Sequence, residues 1–451
     1  MDSGDRDVKT IEQAMEERPL GWYQWRILFI CFICLMVDGF DAQALAYVAP
    51  VMRQELGIST SELGLIFSSS LIGMLFGAFL LSPLADRFGR RPMMIAAMGI
   101  CSVAMLLAPA TASFSSLVAI RFVTGLGLGV ILPNALALVS EFSPERRRSI
   151  LVMLTSLGLP AGAAPGGLIA AALIPAHGWR SVFIFGGVTS LLVTAIVFCF
   201  LPESLRFLVE AGKAQSISAN RSLRNLFGRE ASNVELHKKE KTQNWSSITA
   251  LFSDGRRAGT FLFWTVTFCN LLCLYFLANW LPVLLRDQGL DLGSALLAAS
   301  AMQAGGLPGV VSISYFSRKF GSTSTLCVTY LIGAGAMMLM HSTVAHEMLL
   351  VVICAFVIGA CVVGGQAGIQ AVGIQLYPIR ARATGMGWAL GFGRLGAIFG
   401  PLLAGVMLSR GWPHARLFDA AACVGIVGAI SVMFIRTNPT TKINARKHPT
   451  Q

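Results

Sequence analysis

The chain has 451 residues, of which 55% are hydrophobic and 13% charged, and a formal net charge of +12. Soluble proteins carry about 25% charged residues, so this composition excludes an ordinary soluble domain, and a mean hydropathy of +0.67 points to a polytopic membrane protein. A nucleic-acid-binding reading of the positive charge requires a basic face on a soluble module, and the sequence offers none.

Residues 1–25 mix acids and bases, among them Asp2, Asp5, Arg6, Asp7, Lys9, Glu16, Glu17 and Arg18. They hold no short apolar core followed by a small-residue cleavage site, so no removable signal peptide is expected. A helix needs about 20 apolar residues to cross the hydrocarbon core. Twelve such runs are predicted, at 26–49, 62–82, 93–111, 115–139, 150–173, 181–201, 260–284, 293–314, 323–343, 347–373, 385–408 and 415–435. The fold class is therefore an all-α membrane protein with twelve transmembrane helices in two six-helix bundles, 26–202 and 259–436. A cytoplasmic linker, 203–258, joins them, and a cytoplasmic tail, 437–451, follows. With the N-terminus inside, the short inner connections carry ten Lys or Arg and the outer ones five, as the positive-inside rule demands. All ten cysteines fall within apolar runs. Cys31-x-x-Cys34 has a redox or metal spacing, but inside a membrane helix it reads as apolar packing, so neither disulfide nor metal is expected.

The first run contains Asp38 and Asp41. A charge at bilayer depth costs roughly 2.5 to 3.5 kcal/mol on insertion scales, and such residues usually serve ion or substrate movement. Residues three apart share a helix face, so both carboxylates are expected to look into one cavity. In a poorly hydrated site they do not both ionise easily, which marks at least one as a proton carrier. Gly39 between them would let another helix or a ligand approach the backbone closely. Arg121, in the fourth run, is the expected partner. At about 1.5 Å per residue it lies roughly 9 Å below the outer end of its helix, and Asp41 roughly 12 Å below the end of its own. A single Arg121 facing two acids would leave one acid free to carry a proton; the other readings are that Arg121 only pins the fourth helix against the first, or that it contacts substrate directly.

In the second half, Tyr275, Phe276, Asn279, Trp280 and Trp388 are candidates for ring stacking and polar contacts to a substrate; the alternative for each is packing or a lipid-facing position. Asn134, Asn270, Gln303, Gln366 and Gln370 are polar residues inside apolar runs, suited to hydrogen bonds across helices or to lining a cavity. Arg394 sits near the middle of the eleventh run and can make a two-pronged, charge-assisted bond to a carboxylate. Asp419 in the twelfth run is its possible intramolecular competitor.

The two halves repeat. Ser82-Pro-Leu-Ala-Asp86-Arg87-Phe-Gly89 aligns with Ser314-Tyr-Phe-Ser-Arg318-Lys319-Phe-Gly321 at a shift of 232. Glu141-Phe-Ser-Pro144 with Arg148 aligns with Gln375-Leu-Tyr-Pro378 with Arg382 at 234, and Gly158, Gly162 and Gly166 fall on Phe392, Gly396 and Gly400 at the same shift. Parallel six-helix repeats are the architecture of the major facilitator superfamily.

The run Ser82-x-Leu84-Ala85-Asp86-Arg87-Phe88-Gly89-Arg90-Arg91 resembles that superfamily's signature between helices 2 and 3, with Ser82 in place of the usual first glycine. Within the superfamily, Asp38-Gly39-Phe40-Asp41 resembles the aspartate pair of the aromatic acid:proton symporter family. Asn279-Trp280-Leu281-Pro282 and the stretch from Tyr377-Pro378 through Arg382-Ala383-Thr384-Gly385-x-Gly387-Trp388 to Gly393-Arg394-x-Gly396 are similar to it as well. Pro202-Glu203-Ser204-Leu205-Arg206 is a motif shared with other porters.

The resemblance implies proton-coupled import of benzoate-like or hydroxybenzoate-like acids across a bacterial inner membrane. The proton is then the coupling ion, no cofactor is expected, and a monomer in the lipid bilayer is the working unit. Asp38, Asp41 and Arg121 would couple protons, and Arg394, Tyr275, Asn279, Trp280, Trp388 and Gln366 would bind substrate. Asp86, Arg87, Arg90, Glu141 and Arg148 would act as gating residues at the inner face. The rival readings are an importer of shikimate-like acids, an exporter, and a receptor that binds aromatic acids without transporting them. An enzyme is not expected, because no nucleophile–base pair, metal-ligand cluster or phosphate loop stands on an accessible surface.

Overall fold

The computed structural model describes residues 9–16, 18–111, 113–212, 216–228, 234–235, 248–253, 255–343 and 347–435. The acids and bases of the first eight residues, the 437–451 tail, and Lys213, Arg229, Lys238, Lys239 and Lys241 of the linker lie outside the described residues.

Among the described residues, twelve helices are long and apolar enough to cross a membrane. In order they are Trp22–Leu56, Thr60–Phe88, Arg90–Ala110, Phe114–Glu141, Glu145–His177, Arg180–Phe200, Arg257–Asp287, Leu292–Phe320, Ser322–Ser342, Met348–Leu376, Ala381–Ser409 and Arg416–Met433, hereafter the first to twelfth spans. Helices are what apolar runs of this length must form in lipid, where each backbone N–H and C=O has to be satisfied within its own segment. Local chemistry sets several ends. Ser113 and Ser116 form a reciprocal cap at the start of the fourth span, and Asp291 accepts from the Ser294 N–H at the start of the eighth. The Ser294 hydrogen bonds hold the Asp291 carboxyl below the usual carboxylate range.

Irregularities fall where the sequence carries glycine and proline. The second span ends in a wide π turn, Gly77–Leu81, followed by the tight turn Ser82–Leu84. Ser82 Oγ accepts from Asn134 Nδ2 at 3.3 Å, so the serine at the signature's glycine position contributes a tie to the fourth span. The tenth span is two helical stretches, Met348–Val362 and Gly365–Leu376, broken at Val363 and Gly364.

The chain forms two compact units. The first comprises residues 1–44, 72–163 and 180–242, and the second comprises 45–71, 164–179 and 243–451. The cut points of this division fall inside the first, second and fifth spans as well as near the end of the 203–258 linker. The later part of the first span, the early part of the second and the end of the fifth belong to the second unit.

Within that second unit, Arg53 Nη2 meets Asp287 Oδ1 at 2.9 Å, with His414 Nε2 3.2 Å from Asp287 Oδ2. Trp179 Nε1 donates to Glu55 Oε2 at 2.8 Å, and Ser68 Oγ donates to the Ile398 carbonyl at 2.9 Å. Gly64 and Gly405 face each other closely: a Cβ added to Gly64 would lie 3.2 Å from the Gly405 Cα.

Within the first unit, the N-terminal helix Ile11–Glu16 packs Ala14 and Met15 against Leu223 and Phe227 of the linker helix Ile217–Phe227. Tyr23 Oη also bonds Ser222 Oγ at 3.2 Å. The core of this unit gathers apolar residues of the first, third, fourth and sixth spans, including Leu35, Met98, Leu128 and Val197. Glycines bring the fifth span against the first. A Cβ at Gly39 would collide with the Leu159 carbonyl, and one at Gly162 with the Met36 carbonyl. Backbone cannot yield as a flexible side chain can, so Gly162→Ala is expected to lower stability by about 1–3 kcal/mol or more through overpacking. The comparison is Gly99→Ala, where the added methyl meets open space. Thermal unfolding of the two purified variants checks this; equal melting temperatures would contradict the packing.

Candidate functional site

Two clusters of charged side chains are built inside the first unit. In the first, Asp38 and Asp41 come from the first span and Arg121 from the fourth. They are among the most enclosed polar residues, at 2%, 1% and 1% exposure. Arg121 is within direct Coulombic reach of Asp41, which in turn feels Asp38. The rise per residue puts Asp41 and Arg121 at similar depth, and the structure brings them within this reach.

It also corrects one expectation. The acids do not open onto a wet cavity: they are packed inside their unit. The cause is the set of small residues around them. Gly39 lets the fifth span's backbone close over the first between the two acids. At Gly186 of the sixth span, a Cβ would come 3.0 Å from Asp41 Oδ1, 2.8 Å from Phe40 Cε1 and 2.6 Å from Met105 Cε. Arg121 is seated on a thioether and a ring. Its Nη2 contacts Met105 Sδ at 3.3 Å, and its guanidinium carbon lies 4.9 Å from the centre of the Phe183 ring. Arg121 Nε and Asp41 Oδ1 are buried and have no hydrogen-bond partner among the described residues.

The second cluster lies at the other end of the same unit. Arg90 Nη2 pairs with Glu141 Oε1 at 2.7 Å, and Glu141 Oε2 accepts from the Ser204 hydroxyl. Glu203 accepts from the backbone N–H groups of Arg90 at 2.9 Å, Arg91 at 3.3 Å and Ser204 at 2.8 Å. It thereby caps the third span, whose own N-cap residue Gly89 has no side chain for the task. Gly89 sits at φ 100°, and a Cβ there would run into the Glu203 carboxylate. Of the expected gating residues, Arg90 and Glu141 are thus joined to each other. Asp86 and Arg87 are exposed, with Arg87 over the Phe88 ring at 5.5 Å. Arg148 is half-buried, with its Nε unbonded among the described residues. The missed residue is Glu203. The motif containing it is visible in the sequence, but two of its three partners, Arg90 and Arg91, are over a hundred positions away.

The residues expected to bind substrate belong to the second unit and fall into two groups. Arg394 is half-buried in the eleventh span, and its Nη1 is buried without a hydrogen-bond partner among the described residues. The Gln366 Nε2, beside the break in the tenth span, is in the same situation. Asp419 pairs with His341, with Oδ2 2.7 Å from Nδ1, so this competitor for Arg394 is engaged elsewhere. Tyr275 is half-buried, and Asn279 Nδ2 bonds back to the Tyr275 carbonyl at 2.7 Å. The two tryptophans are engaged in contacts of their own. Trp280 is fully enclosed, donates Nε1 to the Pro401 carbonyl at 3.0 Å, and meets Phe67 edge-on at 5.6 Å. Trp388 is 46% exposed and stacked on Trp264 at 6.0 Å. Trp280 has therefore spent its polar group in packing, and Trp388 lies at the surface of its unit.

Twelve apolar spans, with charged groups held inside helix packing, define a polytopic membrane protein of the transporter type. The family model of the Major Facilitator Superfamily matches residues 31–345 and 314–450. The chain belongs to this superfamily, and its resemblance to the aromatic acid:proton symporter family extends over nearly the whole length. It is 33% identical over 426 residues to the 4-hydroxybenzoate transporter PcaK of Pseudomonas putida, covering 94% of this chain and 95% of that protein. A gallate transporter of Pseudomonas putida is 33% identical over 424 residues, with 94% of each covered. Among solved structures, a bacterial homolog of the human lysosomal transporter Spinster, in an inward-facing and unoccupied conformation, matches with a TM-score of 0.68. That match covers 92% of this chain and 95% of the other at 16% identity, a likeness of fold alone.

Removing the distant cap tests the second cluster. Glu203→Ala leaves three backbone N–H groups without their acceptor and is expected to cost about 1–2 kcal/mol. Asp86→Asn, at an exposed position of the same turn, should change the melting temperature little. Equal behaviour of the two variants in thermal unfolding would refute the capping role.

Proposed function

We propose that this protein is a proton-coupled importer of aromatic carboxylic acids of the hydroxybenzoate or benzoate type, working by alternating access. It would act as a monomer in a bacterial inner membrane with both termini cytoplasmic. The substrate class is supported by relatives, about one-third identical over almost the full chain, that are named as 4-hydroxybenzoate and gallate transporters. The observation that carries the coupling is the enclosed Asp38–Asp41–Arg121 cluster, for which helix packing alone offers no reason. Charged groups at bilayer depth are costly, and they mark ion or proton pathways when they face the interior of a bundle.

The two units suit different parts of such a cycle. In the first, one cation faces two carboxylates, so one carboxylate can be neutralised by the arginine and the other by a proton. In the second, Arg394 offers an unused guanidinium N–H, which suits the substrate carboxylate, and Gln366 offers a neutral donor suited to a ring hydroxyl. Neutralising both sites lowers the cost of enclosing charge away from water, which links loading to the conformational step. For a monoanion, one proton makes that step electroneutral. With the acid pair buried here, proton exchange would take place in a conformation where the packing at Gly39 or Gly186 is opened. Arg90, Glu141 and Glu203 would act on the rate of exchange between conformations and not on substrate.

Uptake of labelled 4-hydroxybenzoate into cells, with and without an uncoupler, tests this reading. Asp38→Asn and Asp41→Asn are expected to lower uncoupler-sensitive accumulation by roughly five- to a hundredfold, the range of a typical coupling free energy. Arg394→Lys keeps the charge but loses the two-pronged geometry, so it is expected to raise KM with less effect on the maximal rate. Undiminished, uncoupler-resistant accumulation by both aspartate variants would defeat the proton role. Saturable binding without accumulation by the wild type would favour a receptor.

A further inference from the structure

The sixth span turns one face towards the acidic cluster, and two of its residues, one helical turn apart, meet the two signs of charge. Gly186 lies against Asp41. Phe183 lies against Arg121, its ring centre 4.9 Å from the guanidinium carbon. The thioether of Met105, on the third span, completes this seat at 3.3 Å from Arg121 Nη2. Phe183 and Met105 are both fully buried. A guanidinium is weakly hydrated and stacks well on aromatic faces, and its attraction to the ring quadrupole grows when water is excluded. Arg121 therefore has two places to put its charge. One is this aromatic and sulfur seat, which it occupies here. The other is the neighbouring carboxylate, which lies within Coulombic reach.

We propose that Phe183 is a positioning residue for proton coupling. Its ring, with Met105, holds Arg121 at Coulombic range while one carboxylate of the Asp38–Asp41 pair carries a proton, and releases it into a direct carboxylate bond when the proton leaves. The inference rests on the transport reading above. It identifies what competes with the carboxylates for the arginine. The titratable groups around this seat are Asp38, Asp41 and Cys34 of the first span, Cys101 of the third and Arg121 itself. The only bond made and broken is a carboxyl O–H, the proton coming from water on one side of the membrane and leaving to water on the other. Without the ring, Arg121 has no comparable alternative and stays with the carboxylates. Substrate can then still be exchanged for substrate, but net movement with a proton stalls.

The test uses the purified full-length protein in liposomes and labelled 4-hydroxybenzoate, with two readouts. One is accumulation driven by an imposed pH gradient; the other is counterflow against unlabelled substrate without a gradient. Phe183→Leu is expected to reduce accumulation about tenfold more than counterflow, whereas Phe183→Tyr and Phe183→Trp, which keep a π face, restore accumulation. Accumulation by Phe183→Leu at the wild-type level overturns the proposal. Equal loss of both activities also overturns it, since that is the mark of a merely structural residue. Failure of both aromatic replacements to restore accumulation overturns it as well. A wild type that shows no counterflow at all sinks the transport reading and takes this inference with it. Wild-type counterflow with an unselective Phe183→Leu sinks the inference alone.

Discussion

The constraint on which the first unit turns is the placing of three ionisable side chains, two of one sign and one of the other, where no water reaches them. Taking ions out of water costs several kcal/mol each, and their mutual attraction repays this only when the geometry is good. Here the geometry is incomplete by design of the neighbourhood. Arg121 rests on Phe183 and Met105, and Asp41 Oδ1 has no hydrogen bond among the described residues. A group of this kind is tense, and its lowest-energy arrangement depends on whether a proton is present. That dependence is what a proton-driven device requires, and an ion pair closed by two short bonds would lack it.

The packing around the cluster follows from the same need. Gly39 and Gly186 remove side chains at the two positions where the fifth and sixth spans pass the acids. In lipid there is no hydrophobic force between helices, and close backbone approach through small residues supplies the packing energy instead. The same residues thus hold the bundle together and exclude water from the charges. The chain also leaves the first unit between Ala44 and Leu45, one turn beyond Asp41.

Most of the architecture is legible in the sequence because the bilayer asks a simple question of each segment, and length with hydropathy answers it. The meeting of Arg121 with the aspartates is legible too, since rise per residue converts sequence position into depth. Direction is not. A spacing of three places Asp38 and Asp41 on one face, but which neighbour covers that face depends on small residues in the fifth and sixth spans, which have no marking in the first. The boundary between units is hidden for a related reason: the ends of the first, second and fifth spans follow contacts such as Arg53–Asp287, which chain order does not announce. Glu203 shows the limit most clearly. Its motif is plain, yet its role lies in the backbone of Arg90, 113 positions earlier. Trp280 is misleading for the opposite reason, since a tryptophan suited to a binding site is equally suited to filling a gap beside Phe67.

Two arginines within apolar spans, Arg121 and Arg394, make the separation of tasks concrete. They have the same charge and the same donors, so any difference in role has to come from their surroundings. Arg121 is fully enclosed, has a ring on one side and a thioether on another, and shares its field with Asp41 of its own unit. An incoming anion would have to displace all of these. Arg394 is half-buried, the candidate acid Asp419 is occupied by His341, and one guanidinium nitrogen has no partner among the described residues. A substrate carboxylate arriving there gains a charge-assisted bond without breaking one. Under the proposed function, this balance of made and unmade bonds would direct the anion to the second unit and leave the first to the proton.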